Sequence, residues 1–184
     1  LMPIEEYEKM LLGRLDANYI GSNRCLSACH SHDRIRRDFE ASTMGVQMSG
    51  KSHMPLVNCE SCHGPGSLAV ENITPEQVAK DAGEGKETAC KYDTFIDLKN
   101  LPSQAKALMC LECHSENATF NLHNWNAGAH ALSDVSCFDC HNVHAGPSLI
   151  TQPKDTRDMC LKCHQKQAAE FSLPSRHPVM EKKI

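Results

Sequence analysis

Cysteine and histidine recur in this chain as one unit. Cys-x-x-Cys-His stands four times, at Cys59/Cys62/His63, Cys110/Cys113/His114, Cys137/Cys140/His141 and Cys160/Cys163/His164. A stretched relative, Cys25/Cys29/His30 in the run CLSACH, opens the series, so ten of the eleven cysteines are used this way. The unit is the attachment signature of c-type haem: two thiols bond to the porphyrin edge, and the adjoining histidine reaches the iron from one side. Five copies in 184 residues are beyond chance. The sequence therefore predicts a pentahaem c-type cytochrome, with five covalently attached haems c and proximal ligands His30, His63, His114, His141 and His164. The extra residue between Cys25 and Cys29 widens the first loop. A structural disulfide or a metal pair is the alternative there, and the adjoining His30 favours haem. Zinc would account for the Cys-x-x-Cys half, but zinc sites pair two such halves and leave the histidine of every copy unexplained.

A chain of this kind needs little side-chain core. Aromatics make up 5% of it and the mean hydropathy is -0.45. No run approaches the roughly 20 apolar residues of a membrane span. Porphyrins are large, flat and apolar, and they supply buried area that the side chains do not. The expectation is a mainly α fold with much irregular structure and little or no β-sheet, a compact or elongated domain cored by haems. Residues 1–184 read as one domain, which admits a subdivision into 1–90 with haems 1–2 and 91–184 with haems 3–5. Without haem the chain should not fold stably.

The formal charge of -4 leaves out the haem propionates, about two per haem, so it identifies no acidic or basic partner. Nothing resembles a nucleic-acid footprint; Arg34-Ile35-Arg36-Arg37 reads as a solvated helix face or a propionate partner. Haem c is attached outside the cytoplasmic membrane, which implies export. Leu1-Met2-Pro3 opens directly into a helix-like segment, read as the mature form, with no anchor sequence. A periplasmic or extracellular location is expected.

Ile4, Tyr7, Leu11 and Leu15 make a helical stripe over 3–15 that would dock on the haem domain. Thr74-Pro75-Glu76-Gln77 is a capping box with proline at the first helical position, and Gly83 would end that helix. It lies within 64–109, the longest stretch without a motif, where an insertion or hinge would fit. Ser103 can cap a helix running into Cys110 and Cys113, and Asp155 or Thr156 one running into Cys160 and Cys163. Cys90 is left over: a small buried hydrophobe, or a thiol that cross-links two chains.

Five irons need five further ligands if all are six-coordinate, and the histidines outside the motifs are His32, His53, His123, His130, His144 and His177. That supply favours mostly bis-histidine irons, suited to outer-sphere electron transfer. An aromatic and then a ligand type follow three motifs: Phe39 and Met44 after His30, Trp125 and His130 after His114, Phe171 and His177 after His164. His144 lies too close to His141 to reach the far face of the same haem and would ligate an adjacent one. His53 precedes the second motif, and His123 and His32 are either ligands or propionate partners. Met44 stands where the other repeats place histidine, which would make the first haem His/Met. Packing beside Met48 and Met54 is the alternative, with His32 and His53 as competing ligands.

The runs FEASTMG (39–45), CESCHGPGS (59–67), CLECH (110–114), WNAGAHALSDVSCFDCHNVH (125–144) and MCLKCHQKQAAEFSLPSRHPV (159–179) resemble the multihaem c-type cytochromes of the DmsE/MtrA type. The pentahaem electron donor of the periplasmic nitrite reductase system is similar in size and haem count. The resemblance covers roughly residues 19–180 and implies a haem chain with histidine distal ligands, matched here by His130, His144 and His177. It also implies partners: a quinol-oxidising donor and a terminal reductase, porin–cytochrome complex or extracellular acceptor. Three departures concern the first two haems: the spacing of CLSACH, methionine at 44, and Leu68-Ala69 where relatives often carry a histidine. The chain stops after SRHPV, where decahaem relatives continue.

The leading function is electron transfer along closely packed haems by a carrier that is not an enzyme. A subunit of a haem filament or outer-membrane conduit, and so a homo-oligomer, is the alternative. A nitrite or hydroxylamine reductase would need an open distal site, against which the histidine supply argues.

Overall fold

A computed structural model describes residues 3, 10–30, 34–42, 44–53, 56–86, 88–115, 122, 124–144 and 153–174, less the side chains of 153 and 154. Short helices joined by turns make up these residues, and no β-sheet occurs among them. The chain divides into two compact units, Leu1–Pro147 and Ser148–Ile184.

In the first unit the core is built from small residues. One cluster gathers Ala28, Ala69, Val70, Ile73 and Cys90, with Ile20, Val78 and Phe95 packed against it. A second gathers Ile96, Leu101 and Ala105 with Leu11, Leu98, Leu108 and Met109. Among the described residues no large side chain is fully buried. A core of alanines gives little buried apolar area per residue, which suits a fold completed by another apolar body.

The helices follow their local signals. Helix α1 (Ser22–Ala28) starts after Gly21, whose φ of 80° is the left-handed region that favours glycine. Helix α2 (Arg34–Glu40) lays its arginines on solvent, with Arg36 paired to Glu40 at 3.2 Å and Arg34 to Asp38 at 3.5 Å. The basic run is thus a solvated, ion-paired face. Helix α3 (Glu60–His63) is a single turn carrying the second motif. Helix α4 (Pro75–Gly83) has Thr74 as its N-cap, whose hydroxyl accepts from the Gln77 N–H at 3.2 Å. Gly83 is its last residue, and the left-handed glycine that turns the chain is Gly85, at φ 66°.

Helix α5 (Ser103–His114) buries Ala105, Ala107 and Leu111. Its cap position is Pro102; Ser103 is the first helical residue, and its hydroxyl bonds the Asp134 carboxylate instead. Helix α6 (Ala129–Leu132) follows a 3₁₀ turn at Trp125–Ala127. In the second unit, α7 (Pro153–Cys160) and α8 (Gln165–Phe171) flank the fifth motif. Asp155 and Thr156 lie in the first turn of α7 rather than ahead of it.

Three expectations change here. Leu11 packs into the second cluster, but Leu15 is 85% exposed, because Gly13 at φ 69° breaks the helical path between them. Ile4 and Tyr7 lie outside the described residues. The stretch 64–109, expected as an insertion or hinge, instead supplies most of both core clusters, and the division between units falls after Pro147. Cys90, left without a partner in the sequence reading, is disulfide-bonded to Cys29.

Candidate haem sites

Glu60, between the two cysteines of the second motif, organises its surroundings. The side chain is only 3% exposed, and its carboxylate accepts three backbone N–H groups: Ile20 at 2.8 Å, Gly21 at 2.7 Å and Gly66 at 2.9 Å. A buried carboxylate needs such partners, since desolvation otherwise disfavours it. It ties the entry to α1 and the Gly64-Pro65-Gly66 loop to the second motif. Ser22, at the start of α1, adds a further link by accepting the Cys59 N–H at 3.1 Å. Sequence reasoning passed over Glu60; the signal was the glycine-rich run just after the motif, where the backbone must come close.

These links draw the motif sulfurs together. The Cys25 thiol donates to the Gly21 carbonyl at 3.7 Å. The neighbouring Cys59 sulfur, with burial, pushes Cys25 up, and Cys25 in turn holds Cys59 below the usual thiol range. Cys110 and Cys137 interact in the same way, which raises the first and lowers the second. Burial raises Cys62, with the charges of Cys113 and Cys59 adding to it. The third motif is carried on the end of α5, the fourth on a 3₁₀ turn at Cys137–Asp139 that packs against it. Ser136 caps that turn: its N–H and hydroxyl both donate to Asp139, at 2.7 and 2.8 Å, and this holds the Asp139 carboxyl below the usual range.

The expected attachment sulfurs are not all embedded alike. Cys140, expected to hold the fourth haem together with Cys137, is exposed, whereas Cys137 is half-buried against Cys110. The cause is local. The 3₁₀ turn is complete at Asp139, and Cys140 follows as its C-cap, with its N–H donated to the Cys137 carbonyl at 3.3 Å. The protein chain therefore covers one sulfur of this motif and leaves the other at its surface. The third motif divides in the same way: Cys110 is half-buried and Cys113, one turn on at the end of α5, is exposed. His114 and His141, expected as proximal ligands, are exposed beside them, and His30 is half-buried just after α1.

His63 and His144 lie side by side among the described residues. Their centroids are 5.9 Å apart with planes 16° from parallel. The two imidazoles are thus close enough for both to be considered as ligands of one haem. Burial, then the charges of His144 and His30, holds the His63 imidazole below its usual range. Its neutral form, with a lone pair for a metal, is thereby favoured. Phe95 sets its edge against His63 at 5.8 Å, and the Ile96 N–H donates to the His63 carbonyl at 3.0 Å.

The other expected ligands are placed less fully. His130 lies beside Trp125, with ring centroids 6.4 Å apart. His53 is exposed, in a left-handed conformation at φ 54°. Met44 is half-buried in the turn after α2. His32, His123 and His177 lie outside the described residues. Cys160, Cys163 and His164 are exposed on their own unit.

The residues present fit haem at the regular motifs. The His63–His144 pair would hold the iron through imidazole nitrogens, and the alanine-rich core lacks bulk that a porphyrin would add. Trp125 Nε1 is buried with no acceptor among the described residues, an N–H suited to a propionate oxygen. The stretched motif fits less well. Its Cys29 is bonded to Cys90, while Cys25 turns to Cys59.

Known proteins match this chain over its haem-type motifs. Residues 130–169, spanning the fourth and fifth motifs, match the doubled CXXCH motif family. Residues 75–142, spanning the third and fourth, match the cytochrome c554 and c-prime family. The multihaem cytochrome MtrA of Shewanella baltica (strain OS185) is 30% identical over 159 residues, 86% of this chain and 42% of that protein. The chain thus spans less than half the length of this relative. Among the described residues no helix is long and apolar enough to cross a membrane.

Proposed function

Because the chain is a multihaem c-type cytochrome, we propose that it passes electrons along closely spaced haems between a respiratory donor and a terminal reductase or extracellular acceptor. Bound haem supplies one-electron chemistry at iron. The protein is read as exported to the periplasm or beyond, with redox proteins as its partners. That placement rests on the chemistry of haem c attachment and on the likeness to MtrA.

The observation that carries this reading is the His63–His144 pair. His63 comes from the second motif and His144 from just after the fourth, so the ligand set of one haem draws on two motifs. A second histidine ligand of this kind would leave the iron no site for substrate, which favours electron transfer over reductase chemistry. The gathering of Cys62 with Cys113, and of Cys110 with Cys137, further supports neighbouring haems held within short range. Cys59/Cys62, Cys110/Cys113, Cys137/Cys140 and Cys160/Cys163 each anchor one haem in this reading. The count of five needs the stretched motif as well.

Replacing His144 tests it. In the holo-protein, His144→Ala should remove one bis-histidine signal from the low-temperature EPR spectrum and create one carbon monoxide site per reduced chain. The parent protein should bind little carbon monoxide. Rapid stoichiometric binding by the parent would instead place an open iron in the natural protein and favour the enzyme.

A further inference from the structure

The first motif departs from the others in its bonding as well as its spacing. In a regular Cys-x-x-Cys-His unit both sulfurs serve one porphyrin edge. Here Cys25 and Cys29 stand four residues apart and turn to different partners. Cys25 is 8% exposed, and its thiol donates to the Gly21 carbonyl at 3.7 Å. Cys29, at the end of α1, is bonded to Cys90 across 61 residues of sequence, with the two Cα atoms 6.3 Å apart. That separation lies within the range a disulfide spans without backbone movement.

The surroundings hold both ends of this bond in place. Cys90 is 8% exposed within the cluster of Ala28, Ala69, Val70 and Ile73, and Cys29 packs on its edge. The Lys91 N–H donates to the Ala69 carbonyl at 3.1 Å, fixing the stretch of chain that carries Cys90. Arg24 reaches from α1 to the Ile73 carbonyl at 2.6 Å. Helix α1 is therefore tied near one end to the 69–73 turn by a hydrogen bond and at the other to Cys90 by the disulfide.

We propose that the Cys29–Cys90 disulfide is a permanent structural bond of the holo-protein, so that Cys29 is not a haem-attachment sulfur and the extra residue of CLSACH marks a cysteine diverted to another bond. Each thiol gives up one proton and one electron. The two electrons reduce the disulfide of a thiol–disulfide oxidant, which leaves as the dithiol. A thioether at Cys29 would consume the same sulfur, so the two fates exclude each other. The disulfide also accounts for the odd cysteine, Cys90.

Peptide mapping of the purified holo-protein decides between them. The chain is denatured, its free thiols are alkylated without reduction, and it is digested with trypsin. The expected product joins residues 25–34 to residues 87–91 and separates on reduction, whether or not Cys25 carries haem. The Cys90→Ser variant should then gain one alkylatable thiol, at Cys29, with its haem content by pyridine haemochrome unchanged. A thioether at Cys29 in the natural chain overturns the proposal, and so does recovery of Cys29 and Cys90 both alkylated.

Discussion

The second and fifth motifs share one pattern and differ in almost everything around it. In CESCH the residue after the first cysteine is Glu60, buried and accepting N–H groups from the distant Ile20-Gly21 pair and from Gly66 just past the motif. In CLKCH that position is Leu161, and Cys160, Cys163 and His164 are exposed between two short helices. After His63 comes Gly64 in the left-handed region at φ 76°; after His164 comes Gln165, the first residue of α8. The same five-residue signature thus serves one site that is woven into the fold and another held by local helices. Haem attachment is a local property, whereas the environment that tunes a haem is not.

The contrast can be broken most sharply at Glu60. Glu60→Ala leaves three N–H donors without their acceptor, at about 1–3 kcal/mol for a buried unsatisfied group, so the holo-protein should lose about 3–5 kcal/mol in guanidinium unfolding. Glu60→Gln keeps one acceptor oxygen and should lose about half as much. At Gly64, an added Cβ meets Ile96 Cγ1 at 3.2 Å and forces a non-glycine residue into the left-handed region. Gly64→Ala should cost about 1–2 kcal/mol, while Gln165→Ala, at the matching place in the fifth motif, should stay within about 0.5 kcal/mol. Ser136→Ala removes a cap that has its carboxylate partner in place, and about 1 kcal/mol should go with it. The smallest effect belongs to Lys162→Ala in the exposed motif, within about 0.5 kcal/mol by the same unfolding measurement. Equal losses at Glu60 and Lys162 would erase the distinction between the two sites.

What the sequence disclosed is what short-range chemistry decides. The helix after Thr74 follows from a hydroxyl cap and a proline, both within one turn. The helix into Cys110 follows from its own residues, although Ser103 turned out to serve Asp134 rather than the helix end. The absence of a β-sheet among the described residues agrees with the expected helical, irregular fold. Less visible were the features made by distance. Leu15 continues the apolar period of Leu11, and only the conformation of Gly13 takes it out of the core. The 64–109 stretch has no motif, yet its alanines and aliphatics form most of the core because segments far apart in sequence meet there. Glu60 looks like a surface residue until Ile20, Gly21 and Gly66 converge on it. Motif spacing alone treats Cys137 and Cys140 as equals; that one is half-buried and the other exposed depends on where α5 meets the 3₁₀ turn. Spacing directed His144 away from its own motif, and that it lies beside His63 is a tertiary fact the spacing does not carry.

The position of Glu60 between two attachment sulfurs also sets an order in time. An enzyme that joins haem to Cys59 and Cys62 must reach both thiols and His63 on an accessible stretch of chain. Once Glu60 has closed on Ile20, Gly21 and Gly66, that stretch is locked and its middle residue is out of reach. With Cys59 and Cys62 as attachment sulfurs, the haem would have to be joined first and the carboxylate latch shut behind it.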